Sequence, residues 1–214
     1  MGQPAAIFDV DRTLVVPTSM EKVFLPFLIR RRYLRAPDLA RYLIYLAKYL
    51  GNQPGAAQNK AHLQGKDPGE LQRLAAECFR DEIVPRISDE GRRQVASHQA
   101  QGHLVVLLSG TLEPLADQLK LELGADLALA ARLEVKHGSL SGELSGRRPY
   151  GQEKARLVRR LCITHGIDLA SSYAYGDHHS DYPLLSMVGH PHAVNPDHGL
   201  RIKARERGWP ILHF

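Results

Sequence analysis

Two aspartates one residue apart, Asp9 and Asp11, follow the short apolar run Ala5-Ala6-Ile7-Phe8. That run is too brief for a helix and rich enough in β-formers to be a buried strand, so it delivers the pair onto the loop beyond it. Side chains of extended backbone alternate, which points both carboxylates to one side. Two carboxylates facing one point repel each other unless a cation lies between them or one holds a proton. Taken alone, the fragment reads as a solvated acidic turn; three later stretches count against that reading.

The run Leu104–Leu108 is followed by Ser109-Gly110-Thr111, after which Leu112-Glu113-Pro114 opens a helix. A hydroxyl and exposed backbone N–H groups at a helix start can cradle a phosphate, although the same residues also serve as a simple helix-capping turn. The run Ser172–Tyr175 leads into Gly176-Asp177-His178-His179-Ser180-Asp181. Asp177, at the tip of a second buried strand, would converge on Asp9 and Asp11 and complete an oxygen-ligand set suited to Mg²⁺. Asp181 is also explained as an acid favouring the positive end of the next helix. Between these motifs Gly151-Gln152-Glu153-Lys154 begins a helix, where a lysine is ordinarily solvated. His178 and His179 either reach a substrate or are exposed loop residues, and they lack zinc-site spacing.

The elements that must position these residues are legible in the hydropathy pattern. From Val15 to Arg86 the apolar period is helical, with Leu39, Tyr42, Leu43, Leu46 and Tyr49 in one register and Leu71, Leu74, Ala75, Cys78 and Phe79 in another. Gly51-Asn52-Gln53-Pro54-Gly55 reads as an interhelical turn, and Asp67-Pro68-Gly69-Glu70 as a helix start with its N-cap. Residues 15–86 are therefore expected to form an all-helical insert, and residues 1–14 with 87–214 an α/β core. In that core, strands at Leu104–Leu108, Asp126–Val135, Ser172–Tyr175, His192–Val194 and Pro210–Leu212 alternate with helical patterns, which predicts a doubly wound, mainly parallel sheet. Ligands of such sheets gather beyond the carboxyl ends of the strands, where each motif lies.

Composition sets outer bounds. The 214 residues are 43% hydrophobic and 24% charged, ordinary values for a globular chain able to bury a core. Met1-Gly2-Gln3-Pro4 runs straight into the first strand, so no secretory signal is expected and the expected location is cytoplasmic. Cys78 and Cys162 are far apart within helical patterns and read as core residues rather than a disulfide. A net charge of +5 suits anionic partners in general. A small phosphorylated molecule is the expected partner and nucleic acid is not; the oligomeric state is not set.

In order, DxDxT, SGT, a helix-opening lysine and GDxxxD resemble the haloacid dehalogenase superfamily of phosphohydrolases. Placing the insert between the first two motifs resembles its phosphoserine phosphatase-like branch (subfamily IB), as do Gly189–Asp197 and Arg207–Ile211. The resemblance implies Asp9 as nucleophile forming an aspartyl-phosphate and Asp11 as acid and base. It implies Mg²⁺ held by Asp9, Asp177 and the Asp11 carbonyl, with Asp181 behind them. Ser109 and Lys154 would hold the phosphoryl group, Thr13 the motif loop, and Gly110 and Gly176 would keep backbone N–H groups accessible.

Two departures bear on the substrate. Arg12 stands where the family carries a small residue, so a guanidinium either hangs at the mouth of the site or is merely solvated. Nine residues past Asp9, where phosphoserine phosphatases carry a glutamate, this chain has Thr18, and the nearest acid is Glu21. With Lys22, Arg30, Arg31 and Arg32 nearby, L-phosphoserine is expected to be a poor substrate. Phosphate esters with a neutral or anionic leaving group should be better. A phosphotransferase, a phosphatase of a lipid-like phosphate and a non-catalytic binding protein are the alternatives. Val23–Ile29 followed by Arg30-Arg31-Arg32 would suit a membrane surface, or else pack as a helix within the insert.

Overall fold

The computed structural model describes residues 2–48 and 59–214. β1 (Ala5–Phe8) lies centrally in a six-stranded sheet, between β2 (Leu104–Leu112) and β6 (Tyr173–Gly176). Beyond β2 is β3 (Leu127–Ala131); beyond β6 are β7 (His190–Val194) and β8 (Ile211–Leu212). All five strand pairings are parallel. The chain thus winds outward from β1 in both directions, and the crevice at this switch point is where such sheets place ligands.

β1 and the first half of β2 are apolar because both faces of the sheet are covered. Ala6 and Phe8 of β1, with Val105 and Leu107 of β2, enter one apolar cluster with α4 (Asp89–Ala100) and α5 (Glu113–Leu123). Ala5 and Ile7, with Val106 and Leu108, enter the other. The helices α6 (Gln152–His165), α7 (Tyr182–Leu185) and α8 (His198–Arg207) contribute Val158, Leu184 and Leu200 to that second cluster. Burying each such side chain contributes roughly 1.5–3 kcal/mol.

Between β1 and α4 come α1 (Met20–Arg30), α2 (Ala36–Lys48) and α3 (Pro68–Cys78). Met20, Phe24, Phe27, Leu28, Leu71, Leu74 and Cys78 are buried in the first cluster, so these helices share their apolar interior with one sheet face. The apolar residues of α1 are thus largely engaged in packing, while Arg30 and Arg31 pair with Glu82 and Glu77. Asp67 caps α3 as expected, its carboxylate accepting from Glu70 N at 2.6 Å. Cys78 and Cys162 are free. The expected turn Gly51–Gly55 and Tyr49 lie outside the described residues.

Two expectations need correction. The single strand expected over Asp126–Val135 is two. β3 ends at Ala131, and the chain then leaves the sheet to form β4 (Leu133–Lys136), which pairs antiparallel with β5 (Ser139–Leu144). The His137-Gly138 turn joins them, both residues at positive φ, the backbone that matches hairpin twist. Among the described residues of 15–86 every regular element is helical, with only isolated bridges at Val15 and Asn59. Lys60 N and Gly65 N, on either side of a short 3₁₀ turn, donate to Gly142 O and Leu140 O at 2.7 and 2.8 Å, so this turn of the insert docks on the hairpin. Finally, Ser109-Gly110-Thr111 does not follow β2 but lies inside it, at a register shift between Leu108 and Leu112. Such an irregularity re-aims side chains at a sheet rim.

Candidate active site

The loop after β1 is wound tightly. Asp9 N donates to Tyr175 O at 2.9 Å, which fixes the strand end, and Val10 O accepts from Leu14 N and Val15 N at 2.9 and 3.0 Å. Arg12 takes a left-handed φ of 65° to make the turn. Thr13, fully buried, donates its hydroxyl to Asp9 Oδ2 at 3.3 Å. Asp11 Oδ1 accepts from Met20 N at 2.8 Å; the Ser19 side chain makes no capping bond, so Asp11 satisfies a first-turn N–H of α1. Its other oxygen lies 3.4 Å from Ser109 Oγ.

From the next elements, Lys154 near the start of α6 donates to Asp9 and, at 2.7 Å, to Asp181. Asp177 follows β6 and meets Arg12 Nε at 2.9 Å. Gly176 permits this crowding, because a Cβ there would lie 2.8 Å from Asp181 Cβ. The structure therefore brings together Asp9, Asp11, Ser109, Lys154, Asp177 and Asp181 at the carboxyl ends of β1, β2 and β6, as their spacing anticipates. One oxygen each of Asp9, Asp177 and Asp181 lie within 4.8 Å of one another, a buried trio able to hold a cation. The Asp11 carboxylate instead turns to α1 and Ser109.

Four carboxylates crowd around Lys154, with Arg12 against Asp177 and Arg148 near Asp11 as further positive charges. Burial above all raises the Asp9 carboxyl, against the pull of Lys154. Burial and then the Asp9 charge push Asp11 up to about 7. Burial, then Asp9 and Asp181, push Asp177 up to about 8, with Arg12 opposing. Burial works against the Lys154 charge, but Asp181 and Asp9 outweigh it and the ammonium holds its proton more tightly than usual. A hard dication among these oxygens would relieve the repulsion.

The site opens into a cavity of about 440 Å³ lined by Asp9, Asp11, Lys154 and Asp177 on its floor and by Lys22, Arg148, Tyr150 and His178 on its walls. Arg148 and Tyr150 were not anticipated. Arg148 Nε donates to Gly110 O at 2.8 Å, and a Cβ on Gly110 would meet the guanidinium at 2.7 Å, so this glycine makes room for the arginine. The Arg147-Arg148-Pro149-Tyr150 cluster just ahead of α6 was the available signal. Neither Thr18 nor Glu21 is among the lining residues. Glu21 faces a separate small cavity with Tyr42 and His62, where Lys60 Nζ donates to its Oε2 at 2.6 Å. Of the expected basic mouth, Arg12 and Lys22 line the cavity, Arg12 paired with Asp177, whereas Arg30 and Arg31 are engaged with Glu82 and Glu77; Arg148 joins the positive wall instead.

Residues 6–186 match the family model described as haloacid dehalogenase-like hydrolase. A probable phosphatase of Mycobacterium tuberculosis is 33% identical over 100% of this chain and 76% of its own length. A protein named as a phosphoserine phosphatase from the same organism is 37% identical, over 98% of this chain and 70% of its own length. A crystal structure of a Bordetella pertussis protein of unknown function matches with a TM-score of 0.86 at 28% identity, over 99% of both chains. With the parallel sheet, the motif order and the carboxylate-lined cavity in agreement, the chain belongs to the haloacid dehalogenase-like hydrolases and is a phosphatase of their phosphoserine phosphatase-like branch.

Proposed function

We propose that the protein is a Mg²⁺-dependent phosphomonoesterase that works through an aspartyl-phosphate on a small, soluble phosphorylated metabolite. The observation that carries this reading is the convergence of Asp9, Asp11, Lys154 and Asp177 on one buried point below an open cavity. An Asp9 oxygen attacks phosphorus as the bond to the ester oxygen breaks, and Asp11 gives its proton to the departing alkoxide. Water then attacks the phosphorus of the aspartyl-phosphate, Asp11 takes a proton back, and phosphate leaves with Asp9 regenerated. A carboxyl raised towards neutrality suits both halves of this cycle. The Ser109 hydroxyl and Lys154 ammonium hold the phosphoryl oxygens as charge gathers on them. Mg²⁺, for which Asp9, Asp177 and Asp181 form a fitting oxygen set that the Asp11 carbonyl would complete, would when bound neutralise the charge that nucleophile and phosphate share.

The leaving group meets a wall that is positive rather than mixed. Glu21, the nearest acid in sequence to the expected ammonium partner, is engaged by Lys60 in another cavity, while Lys22 and Arg148 line this one. A zwitterionic amino-acid phosphate would bury its ammonium without a counter-charge, which disfavours phosphoserine despite the name of one relative. A panel of phosphorylated metabolites assayed with Mg²⁺, alongside Asp9→Asn, tests the reading. Hydrolysis of none, or equal hydrolysis by parent and variant, would overturn it.

A further inference from the structure

His178 and His179 lie next to the carboxylate floor but are not needed by the chemistry above. Asp197, twenty residues beyond Asp177, joins them. Asp197 Oδ2 is 3.4 Å from His178 Nε2 and 2.9 Å from His179 Nδ1. We propose that His178 Nε2, His179 Nδ1 and Asp197 Oδ2 form a second cation site, at the rim of the catalytic cavity, for a borderline transition-metal dication of which Zn²⁺ is the type.

The three ligand atoms already lie within 4.8 Å of one another. Bonds of about 2.1 Å at a tetrahedral angle hold ligand atoms about 3.4 Å apart, so little movement is required. Each ligand is aimed by a separate contact. His178 Nδ1 lies 2.9 Å from Ser180 Oγ and accepts from Ser180 N at 3.3 Å, so the ring is fixed with Nε2 as the nitrogen facing Asp197. Asp197 caps α8 with Oδ1, accepting from Leu200 N at 2.7 Å, and thereby turns Oδ2 to the histidines. Its backbone N–H donates to Asp177 O at 2.8 Å, tying the loop to the end of β6. Gly199 lets His179 come close, since a Cβ there would sit 3.1 Å from His179 Cβ.

Donor chemistry separates this site from the carboxylate trio. Two imidazoles and one carboxylate select Zn²⁺, Co²⁺ or Ni²⁺, whereas Mg²⁺ prefers oxygen alone. Three protein ligands leave a coordination position open to water. Because His178 also lines the catalytic cavity, an ion held here stands where it can hinder substrate.

Zn²⁺ binding measured by calorimetry on the full chain, with Mg²⁺ in excess, tests the site. The parent should bind one more Zn²⁺ than His179→Ala, a change at a side chain that is 63% exposed. Asp197→Asn, which keeps an oxygen to cap α8, should weaken the same binding by about tenfold or more. The difference between parent and His179→Ala isolates the rim site whether or not Mg²⁺ occupies the other, so it does not depend on the phosphatase reading. Equal stoichiometry and affinity in parent and His179→Ala would overturn the proposal.

Discussion

Tyr175 and Asp177, two residues apart at the end of β6, belong to regions built on opposite principles. The Tyr175 hydroxyl meets His98 Nε2 at 2.8 Å and Gln94 Nε2 at 2.9 Å, and its ring stacks on Phe8 at 4.4 Å between centroids. His98 Nδ1 lies 2.8 Å from His103 Nδ1. Every polar group named there has a hydrogen-bond partner, and burial first, then His103 and His192, hold His98 down to about 4, uncharged at neutral pH. Around Asp177 the opposite holds: like charges are crowded together and two carboxyls are lifted to near neutrality. Satisfied neutral contacts stabilise the sheet; unsatisfied charge at its rim is held for a ligand and a reaction.

The strongest way to break this contrast is Asp9→Asn. The amide keeps the shape and removes the nucleophile, so kcat should fall by about three decades or more while the melting temperature stays close to the parent's. Activity within about tenfold of the parent would refute the covalent route. Chelation comes next: hydrolysis should stop and return on adding Mg²⁺, with Ca²⁺ a poor substitute because it prefers a larger shell. Mg²⁺ should also raise the melting temperature of the parent and not of Asp177→Asn, because a ligand of the folded state stabilises it by mass action.

The neutral cluster has its own signature. The buried His98 is uncharged in the folded protein down to about pH 4, whereas its unfolded value is 6.5. Unfolded chain therefore binds more protons between those values, so the stability contributed by neutral His98 is complete above 6.5 and lost as pH falls towards 4. The loss amounts to about 3 kcal/mol. Urea unfolding of parent and His98→Gln at pH 7.5 and pH 5 checks this; an unchanged pH slope in the variant would assign the effect elsewhere. The smallest expected effect concerns the cavity wall. L-phosphoserine should give a kcat/KM below that of glycerol phosphate or a sugar phosphate, and Lys22→Met should narrow the gap for an anionic leaving group. A tenfold preference for phosphoserine, roughly 1.4 kcal/mol in barrier, would reverse the reading of Glu21 and Lys60.

Much of this was legible in the chain itself. β1 and the middle of β2 are short apolar runs because both their faces are covered, and the aspartates follow at a spacing that puts them on one side. The helical period of 15–86 and the Asp67 cap are likewise local, set by bonds and packing a few residues apart. What escaped was long-range. Nothing near Ser109 announces that its stretch stays in β2 at a register shift, and nothing near Leu133 announces that the chain changes sheets.

The sequence by itself determined the chemistry on offer: paired carboxylates, a Ser-Gly-Thr stretch, a lysine and a second acidic loop, each beside an element whose period declares it. Tertiary structure decided which charges remain available. Lys60 engages Glu21, Glu82 and Glu77 engage Arg30 and Arg31, Arg148 folds over Gly110, and Asp197 arrives beside two histidines it does not neighbour in sequence. The physical reason is that periodicity encodes which side of an element a residue faces, whereas the partner of a charge depends on which other elements pack against that side.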